Sequence, residues 1–401
     1  MNNVANPSNK ARAFLTVYLK EVRENLRDRR TIMTALITGP LLAPLLFVMM
    51  LNIGLSRELD KAEKPLTVPV IGQQYAPNLF ESLKAGGVIP GPAIANPELA
   101  VRKQETDVVI RVAPDYPVSW RKGEAVQVEL IYDSSQRDAG TAIERVSNLI
   151  ENYARQQGAM RLVARGLSPS TAWPVSVARR DQATAQARGV LIFGLLPYFF
   201  VITMFMGGMY LAIDLTAGER ERQSLEPLFA NPVARWKIFA GKLAAICTFS
   251  ATSLLISLIA FSVVGHFLPV DKLGMELELG VRFGLTVLVM ALPLIVLLAA
   301  LQSMVAAFAK SYREAQTYLS LLMLVPALPS VLLMAMPVKP QEWMYAVPLL
   351  GQHLGVMQVL RGDGVTMHQM LFCLAGSALA ALVAVWVTAQ LYRSERLAIS
   401  S

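Results

Sequence analysis

The sequence predicts a polytopic α-helical membrane protein with six transmembrane helices and an extracytoplasmic α/β domain inserted between the first two. Three observations carry this expectation. The 401 residues are 54% hydrophobic and only 16% charged, with a mean hydropathy of +0.44, whereas a soluble chain carries about 25% charged residues. Six stretches offer the ~20 largely apolar residues that a spanning helix needs. Lysine and arginine gather at alternate ends of those stretches, the pattern of membrane topology.

The chain opens with a cytoplasmic or interfacial segment, 1–30. Phe14, Leu15, Tyr18, Leu19, Val22 and Leu26 fall on one helical face, with Lys20, Arg23, Glu24 and Arg27 elsewhere. Such a helix can lie in the headgroup region with its apolar face down. The first span, 31–54, is interrupted only by Pro40 and Pro44. It is too long for a signal peptide and no small-residue cleavage site follows, so it reads as an uncleaved anchor.

Residues 55–188 are polar and rich in turn residues, enough for one domain core. Leu66 to Gly72 reads as a strand and Asn78 to Ala85 as a helix. Asp107 to Val112 and Val126 to Tyr132 alternate like strands. Thr141 to Arg165 repeats Ile143, Val146, Ile150 and Tyr153 at helical spacing. The Gly- and Pro-dense stretch Gly86 to Pro97 reads as an irregular loop, and Trp173 to Asp181 as a returning strand.

The second span follows at 189–214 and a cytoplasmic loop at 215–237. Residues 238–392 hold the other four spans: Ile238 to Val264, Val281 to Ala309, Thr317 to Met336 (with Pro326 and Pro329) and Met370 to Leu391. Between the last two, 343–360 is interrupted by Pro348, Gln352, His353 and Gln358, and reads as interfacial or re-entrant. Residues 393–401 form a cytoplasmic tail.

The formal charge of +8 is chiefly a topology signal. Basic residues precede the first span (Lys10, Arg12, Lys20, Arg23, Arg27, Arg29, Arg30). They follow the second (Arg220, Arg222, Arg235, Lys237, Lys242), the fourth (Lys310, Arg313) and the last (Arg393, Arg396). The opposite loops carry fewer, namely Lys272, Arg282, Lys339 and Arg361. Both termini are therefore expected in the cytoplasm, membrane lipid is the surrounding partner, and nucleic acid is not expected.

Enzyme chemistry is not readable. There is no G-x-x-x-x-G-K-[ST] loop, since Gly241-Lys242 is followed by Leu243, and no H-E-x-x-H or G-x-S-x-G. His266, His353 and His368 lie far apart. Cys247 and Cys373 sit in apolar runs and suggest neither disulfide nor ligand cluster. Ser253 and Ser257, Gln302 and Ser303, and Ser377 are the thin candidates for intramembrane protease chemistry, and such side chains in spans usually bond their own backbone or a neighbouring helix. No clear midplane carboxylate marks an ion-driven carrier. The expectation is no catalytic, cofactor or metal residue in this chain.

The loop after the second span is the most informative segment. Glu219, Arg220, Glu221 and Arg222 form a dense mixed-charge head. Leu225, Leu228 and Phe229 supply an apolar side, Pro232 ends the helix, and Arg235 and Lys237 precede the third span. A short helix with one apolar side and charged ends suits docking into a groove on a soluble partner; the plainer alternative is a solvated loop carrying topology charges.

This loop resembles the coupling segment of type-2 ABC exporter permeases, especially the sodium-export permease group, with its pattern E-x-E-x-G-T-L-E-x-L-L-x-x-P-V-x-R ending in G-K. Glu219, Glu221, Leu225, Glu226, Leu228, Pro232, Val233, Arg235, Gly241 and Lys242 match. Gln223-Ser224 replaces the usual Gly-Thr, a departure expected to act at the helix start. Lys20-Glu21 and Arg27-Asp28-Arg29-Arg30-Thr31 look like the group's N-terminal helix and its exit into the first span. Lys310 to Gln316 resembles its turn after the fourth span. Pro326, Pro329, Trp343, Pro348 and Gly351-Gln352 resemble its outer hairpin.

The resemblance implies a transmembrane permease subunit in a bacterial cytoplasmic membrane. It implies pairing with a second permease copy or a related permease, and a seat on a cytoplasmic P-loop ATPase subunit that holds ATP and Mg. Force would pass through the N-terminal helix and the 219–235 loop to export a cargo such as sodium ion, drug, peptide or lipid. The competing reading is a mechanotransmission or envelope-assembly factor whose external domain acts on a partner without transport.

Overall fold

The computed structural model describes residues 7–63, 65–135, 139–172, 180, 182–224, 233–268, 276–335 and 339–393. The chain divides into two compact units, one of residues 1–52 with 182–401 and one of residues 53–181.

The first unit is helical. Among the described residues, five helices are long and apolar enough to cross a membrane: Arg29–Met49, Leu196–Glu221, Arg235–Gly265, Val281–Phe308 and Met367–Tyr392. These are called the first, second, third, fourth and last spans below. Two departures from the expected pattern have local causes. Ahead of the second span, a separate helix, Ala185–Phe193, ends at Gly194, and Pro197 sits in the first turn of the next. Proline there has no amide hydrogen to lose and starts a helix cleanly.

The predicted fifth span is not one helix. It runs as Tyr312–Leu322, a 3-10 turn at Val325–Ala327 and then Leu328–Ala335. Pro326 and Pro329 remove two helical donors, which breaks the segment. The segment 343–360 folds as a 3-10 turn, Glu342–Ala346, and a helix, Leu350–Leu360. Gly351, Gln352, His353 and Leu354 of that helix are buried.

Large apolar side chains fill the core between the spans. Phe47, Phe193, Phe200, Phe205, Phe249 and Phe261 are almost fully buried. The ring of Phe47 lies 5.6–5.9 Å from Phe193, Phe199 and Phe261, within the range of favourable edge and offset contacts. Several polar groups inside the bundle bond backbone. Ser253 donates to Ala35 O (2.9 Å), with Thr203 O at 3.1 Å. Gln302 donates to Phe205 O (2.7 Å), and Ser303 to Ala299 O. These are structural bonds of the kind hydrocarbon favours; none pairs a nucleophile with a base.

The second unit is α/β. Its sheet has the order β2-β1-β3-β4, from β1 (Leu66–Ile71), β2 (Val88–Gly91), β3 (Val108–Val112) and β4 (Val128–Tyr132). β1 runs parallel to β2 and β3, and β4 returns antiparallel to β3. Helices Pro77–Ala85 and Gly140–Ala164 contribute Leu79, Phe80, Leu83 and Val146 to a core with Val68, Val70, Val108 and Ile110.

The stretch read as an irregular loop, Gly86 to Pro97, holds β2. The β-branched pair Val88-Ile89 pairs with Leu66 and Thr67, and Pro90 is tolerated because β2 is an edge strand. The expected returning strand, Trp173 to Asp181, lies outside the described residues apart from Arg180.

Candidate functional site

The residues of interest surround the end of the second span. Its helix widens into a π turn, Asp214–Gly218, followed by one α turn, Glu219–Glu221. The helix then stops in a left-handed C-cap. Gln223 has φ +54°, its N–H donates to Arg220 O (3.0 Å), and Ser224 N–H donates to Glu219 O (2.9 Å). This pair of bonds is the Schellman closure, whose left-handed position favours glycine. The Gln223 departure therefore acts at the helix stop, not at the start. Gln223→Gly should stabilise the protein by about 1 kcal/mol, since glycine adopts that conformation without a Cβ penalty; a thermal melt in detergent checks it.

Of the four charged residues at this helix end, three hold other elements and Arg222 folds back on its own helix. Glu219 is buried, and its Oε2 accepts from Lys242 Nζ. Lys242, in the third span, is only 2% exposed and also donates to Leu215 O (2.9 Å). Arg220 reaches Ala309 O (3.4 Å), just past the fourth span. Glu221 Oε2 accepts the N–H of Tyr312 (2.8 Å). That donor is one of the unsatisfied amides of the helix Tyr312–Leu322, a place where a carboxylate is favoured. Arg222 pairs with Asp214 (2.9 Å). The last span joins through Tyr392, whose hydroxyl is 3.4 Å from Thr216 Oγ1 and whose ring lies 4.9 Å from that of Phe239.

The N-terminal helix, Pro7–Asn25, lies against the third span. A Cβ at Gly241 would sit 2.9 Å from Val17 Cβ and 3.2 Å from Phe14 O, so glycine is what allows this approach. Tyr18 and Thr248 hydroxyls are 3.2 Å apart. The expected single apolar stripe is thus divided. Tyr18 and Val22 pack against the bundle core, while Leu15, Leu19 and Leu26 stay exposed. The most buried of the helix's described residues is a charge, Glu21, at 1% exposure. Its carboxylate accepts from Lys20 (3.3 Å). Burial pushes its pKa above the usual carboxylate value, against the pull of the Lys242 and Lys20 charges.

Eleven of the sixteen site residues named from the sequence fall within the described residues. Glu219, Arg220, Glu221 and Arg222, expected as a docking head, make the internal contacts just described. Arg235 opens the third span. Leu225, Glu226, Leu228, Phe229 and Pro232 lie outside the described residues. Lys20 and Glu21 are on the N-terminal helix, but Arg27 and Asp28 form the turn after it, and exposed Arg29 and Arg30 begin the first span. Asp28 accepts from Arg30 N–H (3.0 Å) and Thr31 Oγ1 (2.7 Å). It caps the span, and the Thr31 hydroxyl bond leads in holding its carboxyl below the usual range. Sequence reasoning counted Lys242 as a topology charge. A lone lysine inside the run Ile238 to Val264 was the signal that it needed a buried partner.

At the other end of the third span, 20–23 residues beyond Lys242 and so about 30–35 Å away, lies a cavity of ≈ 950 Å³. Glu276, Glu278, Arg282 and Asp363 line it beside Leu279 and Phe283.

Two comparisons place the chain. A family model described as ABC-2 family transporter protein matches residues 29–387. The ABC transporter permease protein NatB of Bacillus subtilis (strain 168) is 25% identical over 352 residues, covering 86% of this chain and 89% of NatB. No solved structure matches the chain significantly.

Proposed function

This chain belongs to the ABC-2 family of transporter proteins, and from that membership we propose that it is the permease subunit of an ATP-driven exporter. In this reading it spans a bacterial cytoplasmic membrane six times, the broken pair Tyr312–Leu322 and Leu328–Ala335 counting as the fifth crossing. Both termini are cytoplasmic and the 53–181 unit is extracytoplasmic. Two permease subunits pair and each rests on a cytoplasmic ATPase subunit, which supplies the ATP and Mg. The chain itself performs no catalysis.

One observation carries the proposal: residues 219–222 join the ends of the second, third and fourth spans and the start of the broken fifth. A displacement applied to this loop reaches all of them, because packed helices respond to a push as rigid elements. A displacement does work only if the ATPase binds the two arrangements with different affinity. On this view the surface that meets the ATPase is the apolar side of the loop, Leu225, Leu228 and Phe229, with Glu226, while 219–222 passes the motion inward.

The test is co-reconstitution of the permease with a P-loop ATPase subunit of an ABC exporter from the same cell. The expected result is co-purification of a complex whose ATP hydrolysis the permease stimulates. Glu221→Ala, which frees the Tyr312 amide, should leave the complex assembled and cut that stimulation several-fold. A permease that neither binds nor stimulates the ATPase would overturn the proposal.

A further inference from the structure

Three buried charges lie on three packed elements: Glu219 is bonded to Lys242, and Glu21 is carried by the N-terminal helix, which closes on Gly241 beside Lys242. Glu219 comes from the end of the second span, Glu21 from the N-terminal helix and Lys242 from the third span. An ammonium has three donors, and among the described residues Lys242 uses two, on Glu219 and on Leu215 O. Glu21 sits within the influence of the Lys242 charge, yet its carboxylate is bonded only to Lys20, among the described residues. Lys20 is half-exposed and also shared with Glu24 (3.4 Å). A buried carboxylate with so weak a partner costs stability in this arrangement. The N-terminal helix precedes the residues that the family model matches, 29–387.

We infer that Lys242 is an exchangeable contact: it holds Glu219 in the arrangement seen here and passes to Glu21 when the N-terminal helix and the 214–222 turn move relative to each other. Glu21 and Lys242 are then positioning residues for force transmission. The inference rests on the exporter reading for its purpose, but not for its geometry. The exchange conserves charge, since one ammonium leaves one carboxylate for another, and the open third donor lets the new bond begin before the old one breaks. Each arrangement has its own ion pair, which makes two discrete states and not a continuum of positions.

The first test uses the purified full-length permease alone. The charges acting on Glu21 are Lys20 on its own helix, Lys242 on the third span and Glu219 on the second, and Glu24 bears on it through their shared Lys20. Its folded-state pKa lies above the unfolded carboxylate value, so the folded protein binds the proton first as pH falls. Stability should therefore rise as pH drops through that raised value towards the ordinary carboxylate range. Glu21→Gln should flatten this slope and leave the melting temperature at pH 8 equal to or above that of the parent. Glu219→Gln should lower it by several degrees, because it takes away the partner of Lys242. If the two substitutions destabilise equally, Glu21 is an ordinary structural partner and the inference fails.

The second test uses the ATPase complex, with spin labels on exposed Leu15→Cys and Trp236→Cys in a Cys247→Ser, Cys373→Ser background. ATP with vanadate should shift the distance distribution in the parent. It should fail to do so in Glu21→Gln, and the shifted population should appear without nucleotide in Glu219→Gln. Lys242→Arg, which keeps the charge, should retain the shift. A Glu21→Gln complex that shifts as the parent does would overturn the exchange. A parent that forms no complex would sink the exporter reading instead, and the permease-alone melts would still decide the exchange.

Discussion

Lys242→Met is expected to destabilise the permease by about 3–5 kcal/mol, the cost of leaving one member of a buried ion pair without its partner. Glu219 stays buried against the third span, and Leu215 O loses its donor at the same time. Desolvation outweighs the lost attraction, so pairing the change with Glu219→Gln should recover a large part of the loss. An unfolding titration in detergent micelles reads both variants. If Lys242→Met melted like the parent, water would be reaching Glu219 and the site could not behave as a dry electrostatic joint. The same variant should abolish stimulation of the ATPase even where folding survives at low temperature, because the second and third spans would no longer be tied at this end.

The other large effect is expected at Gly376 in the last span. A Cβ there would fall 1.9 Å from Ala346 O and 2.7 Å from Ala346 C. Both are backbone atoms of the turn Glu342–Ala346, so no side-chain rotation relieves the clash. Gly376→Ala should cost about 3 kcal/mol, at the upper end of overpacking penalties, and should displace the 342–360 hairpin. The hairpin has little freedom to accommodate it. Gln352 accepts from Leu349 N–H (2.8 Å) and donates to Ser377 Oγ (2.7 Å) and Met290 O (3.3 Å), while Leu349 is held at φ +70°. Faster proteolysis within 339–349 at unchanged expression would be the corroborating observation. A melting curve that did not move would mean that the turn is free to shift away from the last span.

Much of this architecture was legible in the chain because lipid imposes a coarse demand. Each crossing must satisfy its own backbone and show apolar side chains outward, so hydropathy marked four of the long helices to within about five residues, while the second starts seven residues late, at Leu196, where Gly194 and Pro197 break the apolar run. The α/β unit was legible for a related reason. Strand alternation survives wherever one face is buried, as in β1 and β3, and it was lost for β2, where only four residues, two of them Pro90 and Gly91, carry the pairing. The fifth predicted span had enough apolar residues, but hydropathy counts side chains and does not count the helical donors that Pro326 and Pro329 remove.

The sequence by itself marked a set of helices long and apolar enough to cross a membrane, a separate stretch with α/β patterning after the first of them, and a loop after the second span that resembles a coupling segment. These properties depend on composition, periodicity and local motif, which are carried by residues near one another in the chain. Only the tertiary structure decided what the charges of that loop do. Whether Glu219 faces water or Lys242, and whether Glu221 meets a soluble partner or the amide of Tyr312, depends on elements 23 and 91 positions away. Spacing along a chain does not specify such distances. They are set when packing around Gly241 and the π turn brings helix ends together.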